Sequence, residues 1–337
     1  MHFLSDNTAS ISPEILDAIH AANAGQVPAY GDDPWTKRLD GVFTDFFGAP
    51  VCVFPVATGT AANALSLATL VPPYGAIYTH EDAHILRDEC GAPEFYTGGA
   101  RIVTVSSAMG KLTHSALAAA LDAAPPSVHT YQPAAVALTQ ATELGTVYQP
   151  DEISAIAALA HDRQLFVQMD GARFANALVS LGVAPADITW KAGVDVLSFG
   201  ATKNGALAAE AVVFFSRELA RDFELRRKRG GHLLSKLRYV SAQLLAYLES
   251  GLWKRNAELA NGFAARIGAA AAAHLLYPVQ ANEVFVQLGD LRKKVLRDAG
   301  FEFYDWGAQD SGAARLVASW DQNERDVEAL CTMLRRL

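Results

Sequence analysis

VCVFPVATGTAANALSLATL, residues 51–70, reads as a short buried strand that runs straight into a helix. Residues 51–54 are apolar and rich in valine, the composition of a buried strand. Residues 59–70 are Ala- and Leu-rich with no interior proline, until Pro72-Pro73 ends the helix. Between them lies Ala57-Thr58-Gly59-Thr60-Ala61-Ala62-Asn63, a turn of small side chains at the helix start. Backbone N–H groups in such a turn can approach an anion closely, and the helix N-terminus adds partial positive charge. A tight strand-to-helix turn needs the same small residues, so this motif alone leaves both readings open.

The same alternation continues along the chain. Strands are expected at 100–105, 134–139, 165–169, 194–199 and 211–215, with helices at 115–123 and, opened by Pro150, at 151–161. Short β-rich runs separated by amphipathic helices imply crossover connections and a mostly parallel sheet covered on both faces. Past residue 225 the texture changes. The basic run Arg226-Arg227-Lys228-Arg229 leads into helices at 233–248 and 253–273. Strands at 283–288, 301–306 and 314–320 follow, with helices at 291–298 and 323–336. Two units are expected: a large α/β domain over 1–240, N-terminal segment included, and a small α+β domain over 241–337.

Composition removes several functional classes. The chain has 337 residues, of which 51% are hydrophobic, enough to build a sizeable core. A net charge of -8 argues against binding a nucleic-acid backbone. Residues 51–80 carry no formally charged side chain, but Pro55, Gly59, Asn63, Pro72, Pro73 and Gly75 interrupt them, so no membrane span is expected. Residues 1–6 show no basic segment leading an apolar stretch. Cys52, Cys90 and Cys331 are an odd, widely spaced set without a CxxC pair, which fits a reducing compartment and a cytoplasmic location.

Two motifs are decoys. His80-Glu81-Asp82-Ala83-His84 matches HExxH, yet a catalytic zinc needs a third protein ligand. The positions that would supply glycine and histidine after His84 hold Arg87 and Cys90, and residues 95–121 contain no carboxylate or cysteine. No metal is expected. Gly110-Lys111 fails as a phosphate loop, because Val105 stands where the first glycine belongs and Leu112 follows the lysine.

Two further positions carry chemistry. Asp170 ends a buried strand ahead of Gly171-Ala172-Arg173, facing the crevice where open α/β sheets bind ligands; capping the next helix is its ordinary alternative. Lys203 lies just past another strand end among Gly200, Ala201, Thr202, Asn204 and Gly205. Small uncharged neighbours desolvate an amine and favour its nucleophilic form, whereas a surface loop lysine is the ordinary alternative. Together, the anion-binding turn, the strand-end carboxylate and the strand-end lysine supply what pyridoxal phosphate requires: a cradle for its phosphate, a partner for its ring nitrogen and an amine for its aldehyde.

On these residues the chain resembles the low-specificity L-threonine aldolases, and the related phenylserine aldolases, of the fold-type-I pyridoxal-phosphate enzymes. The likeness spans nearly the whole chain. It rests on Ser5-Asp6-Asn7, Tyr30-Gly31-Asp32-Asp33-Pro34, the turn from Thr58 to Asn63, His84, Asp170-Gly171-Ala172-Arg173, Thr202-Lys203 and Arg315-Leu316-Val317, in the expected order. The resemblance implies an α/β fold with a large mostly parallel-sheet domain and a smaller C-terminal α+β domain. It assigns Lys203, with Thr202 beside it, to the cofactor aldehyde, Asp170 to the ring nitrogen, Gly59 and Thr60 to the phosphate, and His84 to the ring face near the substrate hydroxyl. Ser5, Arg173 and Arg315 are assigned to the substrate carboxylate, with Arg173 also close to the cofactor. Glu143, in Ala141-Thr142-Glu143-Leu144-Gly145, stands where many threonine aldolases place a histidine, and a carboxylate there can still accept a proton.

The implied reaction is retro-aldol cleavage of threonine, allo-threonine or a phenylserine-type amino acid to glycine and an aldehyde. A β-eliminating lyase or an aminotransferase is the alternative on the same fold. The implied assembly is a homotetramer, a dimer of dimers with sites at a dimer interface. There, the run from Arg226 to Arg229, or Lys236 nearby, is implied to reach a neighbour's phosphate; a solvated helix face is the ordinary alternative for the run.

Overall fold

The computed structural model describes residues 1–124 and 127–337. Seven strands form one sheet: β1 (Cys52–Val56), β2 (Gly75–His80), β3 (Arg101–Val105), β4 (Gln132–Thr139), β5 (Phe166–Gly171), β6 (Val196–Gly200) and β7 (Glu210–Phe214). Their spatial order is β1-β7-β6-β5-β4-β2-β3. β3, β2, β4, β5 and β6 are mutually parallel, while β7 runs antiparallel to both β6 and β1. The mostly parallel α/β architecture is therefore as the alternation implies. β2 has no counterpart among the strands expected from sequence. All six of its residues are buried between β3 and β4, so no alternation marks them, and they follow Pro72-Pro73 like a loop.

Aromatic rings fill one face of the sheet. Phe43, Phe47, Phe174, Phe199 and Tyr247 are fully or almost fully buried, with Phe43 edge-on to Phe199 at 5.2 Å between ring centroids. The helix Gly59–Leu70 lies on the opposite face, where Leu65 and Leu67 share a core with Val56, Ile77, Val212, Phe214 and Phe223. Helices Ala92–Thr97 and Phe223–Arg229 pack against it as well, which is why it is apolar on almost every side. Two of its polar side chains, Asn63 and Ser66, are buried.

A second sheet contains β8 (Glu283–Gln287), β9 (Tyr304–Trp306) and β10 (Ala313–Val317), antiparallel in the order β8-β10-β9. Its core holds Val284, Val286, Leu296, Leu316, Val327 and Leu330, together with Phe3 from the chain start. The Phe3 N–H donates to the Glu302 carbonyl at 2.8 Å, and its carbonyl accepts from the Val317 N–H at 2.9 Å. That anchorage fixes the path of the next residues, Ser5 to Asn7. Helix Arg238–Glu249 packs into the first core through Val240, Leu244 and Tyr247. Helix Leu252–Ala270 starts there with Leu252 and ends in the second core with Ala264 and Ile267.

Candidate active site

A cavity of about 310 Å³ opens at the carboxyl ends of β1, β4, β5 and β6, the expected place for a ligand in an open α/β sheet. Its lining includes Asn7, Thr58–Thr60, Asn63, His84, Glu89, Glu143, Asp170, Arg173, Lys203 and Glu210. Thr58 caps the helix Gly59–Leu70, its side chain accepting the Ala61 N–H at 3.1 Å. The N–H groups of Gly59 and Thr60 have no acceptor within the helix and are left for a ligand.

Lys203 stands in a 3-10 turn, Thr202–Asn204, that is tied down on every side. The Asn204 side chain donates to the Tyr247 hydroxyl at 2.7 Å and to the Trp253 carbonyl at 2.8 Å. Gly205 closes the turn at φ +110, where a Cβ would sit 2.3 Å from Ser12 Oγ and 2.6 Å from Asn256 Nδ2. Only glycine meets both the dihedral and the space. Among the described residues, no hydrogen bond or ion pair engages the Lys203 ammonium, so its amine is available.

Asp170 is buried at the end of β5. Its Oδ2 accepts from Asn63 Nδ2 at 2.6 Å and its Oδ1 from the Ala172 N–H at 2.9 Å. Gln168 donates to Asn63 Oδ1 at 3.1 Å, which orients both Asn63 N–H bonds outward. The second of these reaches Glu89 Oε1 at 2.9 Å. The same oxygen lies 2.8 Å from His84 Nδ1. Glu143 Oε1 accepts from the His84 N–H and from the Thr139 hydroxyl, both at 2.8 Å, while its Oε2 is buried without a partner. Burial pushes the Glu143 carboxyl up to about 7, and it does the same to Glu210 against the pull of Thr202 and Lys203.

The comparisons with known proteins fit this geometry. The beta-eliminating lyase family model matches residues 2–290. A low specificity L-threonine aldolase from Pseudomonas sp. (strain NCIMB 10558) is 44% identical, with 99% of this chain and 96% of that protein aligned. Another from Pseudomonas aeruginosa is 42% identical over the same shares. A solved threonine aldolase from Leishmania major superposes with a TM-score of 0.92 at 27% identity, covering 99% of this chain and 98% of that one. The chain belongs to the beta-eliminating lyases.

Within that family it falls among the threonine aldolases, and the expected dependence on pyridoxal phosphate can be tested on its own residues. They fit. A free lysine, a buried carboxylate and an open helix N-terminus face one cavity, and Oε2 of both Glu89 and Glu143 is buried without a partner.

The residues expected to take the substrate carboxylate are placed less simply. Arg173 lines the cavity, but Asp6 takes its guanidinium in a two-pronged pair at 2.7 and 3.0 Å, and Glu283 Oε2 lies 3.2 Å from its Nη1. Burial raises the Asp6 carboxyl, yet Arg173 and Lys203 outweigh it and hold it at about 2. Ser5 uses its side-chain oxygen to accept the Asn7 N–H at 3.1 Å and does not line the cavity; Asn7 does. Arg315 on β10 is also outside the lining. It sits 3.9 Å from Glu283, over the rings of Tyr304 and Trp306, with its buried Nε unpartnered.

The decoys resolve structurally. His80 ends β2 and bonds the Ser107 carbonyl at 2.9 Å, so His80 and His84 do not share a helix face. His84, Glu89 and Asp170 do converge, but Asn63 already bonds both carboxylates. Lys111 pairs with Glu152 at 2.7 Å. In the basic run, Arg227 is buried against its own chain, donating to the Pro55 carbonyl at 3.1 Å, and Lys228 lies 4.3 Å from the Tyr30 ring. Arg226, Arg229 and Lys236 remain exposed.

Asp6, Asn63, Gln168, Glu89, Glu210 and Glu283 carry much of this site, and no local pattern in the sequence assigns any of them a role. Asp6 and Asn63 lie within Ser5-Asp6-Asn7 and the turn from Thr58 to Asn63. Glu89 lies five residues after His84, but nothing local marks it as buried.

Proposed function

We propose that this protein binds pyridoxal phosphate in the cavity and cleaves β-hydroxy-α-amino acids of the threonine, allo-threonine or phenylserine type to glycine and an aldehyde. The observation that carries this is the convergence of an unpaired Lys203, a buried Asp170 and a free helix N-terminus in one cavity. Kinship with the aldolases supports it. When bound, the cofactor supplies an aldehyde for the amines and an electron-accepting ring that stabilises negative charge at the substrate Cα.

The chain's own groups do the rest. The N–H groups of Gly59 and Thr60 would hold the phosphate, and Lys203 would supply the amine that its aldehyde needs. Asp170, kept aligned by Asn63 and the Ala172 N–H, would pair with the ring nitrogen and favour its protonated form. His84, which lines the cavity, would accept the proton of the substrate's β-hydroxyl. Glu143, its carboxyl pushed up to about 7 by burial, accepts the His84 backbone N–H and so fixes the segment that carries the imidazole. Arg315, with a free Nε–H, draws in the carboxylate, and Arg173 supplies fixed positive charge beside it.

The assembly that accompanies this reading is a homotetramer in the cytoplasm. Exposed Phe95 and Leu225, 77% and 71% accessible, sit in a groove with Arg226 and Arg229, a surface suited to a second copy. No helix among the described residues is long and apolar enough to cross a membrane. The division into domains at 240/241 also belongs to this reading.

The test is visible absorption of the purified protein with and without glycine, followed by assays of aldehyde released from several β-hydroxy amino acids. A cofactor band that shifts with glycine, aldehyde release, and loss of both in Lys203→Ala are expected. Ammonia and a keto acid in place of glycine and aldehyde would favour β-elimination, and full turnover by Lys203→Ala would refute the assignment.

A further inference from the structure

Glu89 is fully buried, belongs to no motif the reaction uses, and meets His84 and Asp170 through a closed set of bonds. Its Oε1 is shared by His84 Nδ1 at 2.8 Å and Asn63 Nδ2 at 2.9 Å, and its Oε2 has no partner. The other Asn63 N–H goes to Asp170, and Gln168 fixes the amide so that both of its N–H bonds point at carboxylates. With Asn63 locked as a donor, Oε1 is the acceptor, and an ionised Glu89 leaves Nδ1 only the role of a second donor. The side chain of His84 is part-exposed, and its Nε2 has no bond among the described residues.

We propose that Glu89 is a positioning residue: with Asn63 it holds His84 as the Nδ1–H tautomer, so that the Nε2 lone pair faces the substrate hydroxyl. No atom of Glu89 need touch substrate. Asn63 joins this carboxylate to Asp170, so one amide sets both the histidine and the partner of the cofactor ring nitrogen. A carboxylate on the far nitrogen of an imidazole fixes the tautomer and raises basicity at the near one. The direction agrees with the His84 imidazole, which the Glu89 bond pushes up against burial. The charged groups acting on that imidazole are Glu89, Asp170 and Lys203, while Glu143 bonds its backbone N–H.

The inference rests on the aldolase reading for its consequence, though not for its geometry, so two measurements separate the two. In the first, the holoenzyme is labelled with 15N-histidine and the His84 ring nitrogens are followed with pH. A protonated Nδ1 with an unprotonated Nε2 above the His84 pKa is expected, and Glu89→Gln should titrate His84 at lower pH. A dominant Nε2–H tautomer in the wild type, or an unchanged titration in Glu89→Gln, would overturn the proposal whatever reaction the enzyme catalyses. In the second, Glu89→Gln is made in wild-type and His84→Asn backgrounds. A loss of roughly 10- to 100-fold in kcat is expected in the first background, as for other outer partners of functional histidines. The acid limb of its pH profile should move to lower pH. In His84→Asn the same change should have little further effect; losses that multiply to within about 2-fold would show that Glu89 acts independently of His84. If no aldehyde forms in any variant, the aldolase reading fails and the nitrogen titration still decides the role of Glu89. If Glu89→Gln does not fold, the wild-type tautomer decides alone.

Discussion

Replacing Glu143 by Gln should shift stability in favour of the variant, relative to the wild type, as pH rises. In the folded chain burial holds this carboxyl at about 7, against an ordinary value of 4.5. Between those two values the folded state keeps a proton that the unfolded chain has released, so wild-type stability falls as pH increases through the window. At 1.36 kcal/mol per pH unit the full penalty is about 3 kcal/mol above pH 7, and under about 1 kcal/mol at pH 5. Gln carries no such titration. Its Nε2 replaces the unpartnered Oε2, at a pH-independent cost of about 1–3 kcal/mol. The prediction is therefore about the slope: from pH 5 to pH 8 the variant should gain about 2 kcal/mol on the wild type. Urea unfolding followed by tryptophan fluorescence at pH 5, 6, 7 and 8 measures it, with both proteins stripped of cofactor so that ligand binding does not move the midpoints. A difference between the two proteins that stays flat across that range would refute the reasoning, because it would mean that Glu143 is ionised alike in both states.

Three other outcomes follow from the same geometry. Asp6, held at about 2 against an ordinary 3.8, contributes about 2 kcal/mol that is present above pH 4 and lost as pH falls toward 2; Asp6→Asn should flatten the acid-unfolding curve there. Gly205→Ala must strain φ +110 and push a methyl into Ser12 and Asn256, so a loss of at least about 2 kcal/mol in stability and a displaced Lys203 are expected, read as a lower melting temperature and a weaker cofactor band. Arg315→Ala should weaken glycine binding, followed by the spectral titration, with a small change in melting temperature, since its guanidinium makes a 3.5 Å bond to the Leu4 carbonyl, a 3.9 Å approach to Glu283 and contacts over the Tyr304 and Trp306 rings. Unchanged glycine affinity would remove Arg315 from the carboxylate site.

The α/β alternation, the strand-turn-helix at 51–70 and the lysine and aspartate at strand ends are all legible in the chain. These are written in local periods: apolar runs, a proline stop, small residues at a helix start. The tertiary structure alone decided which charges are free. Arg173 and Arg315 look alike in the chain, yet one is clasped by Asp6 and the other keeps an unpartnered Nε. β2 is illegible in the sequence because a strand buried on both faces has no alternation to show. Glu89 and Glu143 are ordinary acids until the fold removes their water and aims them at His84 from positions 5 and 59 residues along the chain. Desolvation and donor geometry belong to neighbours far apart in sequence, and so the reactive groups are legible in the chain while their protonation is settled only by the fold.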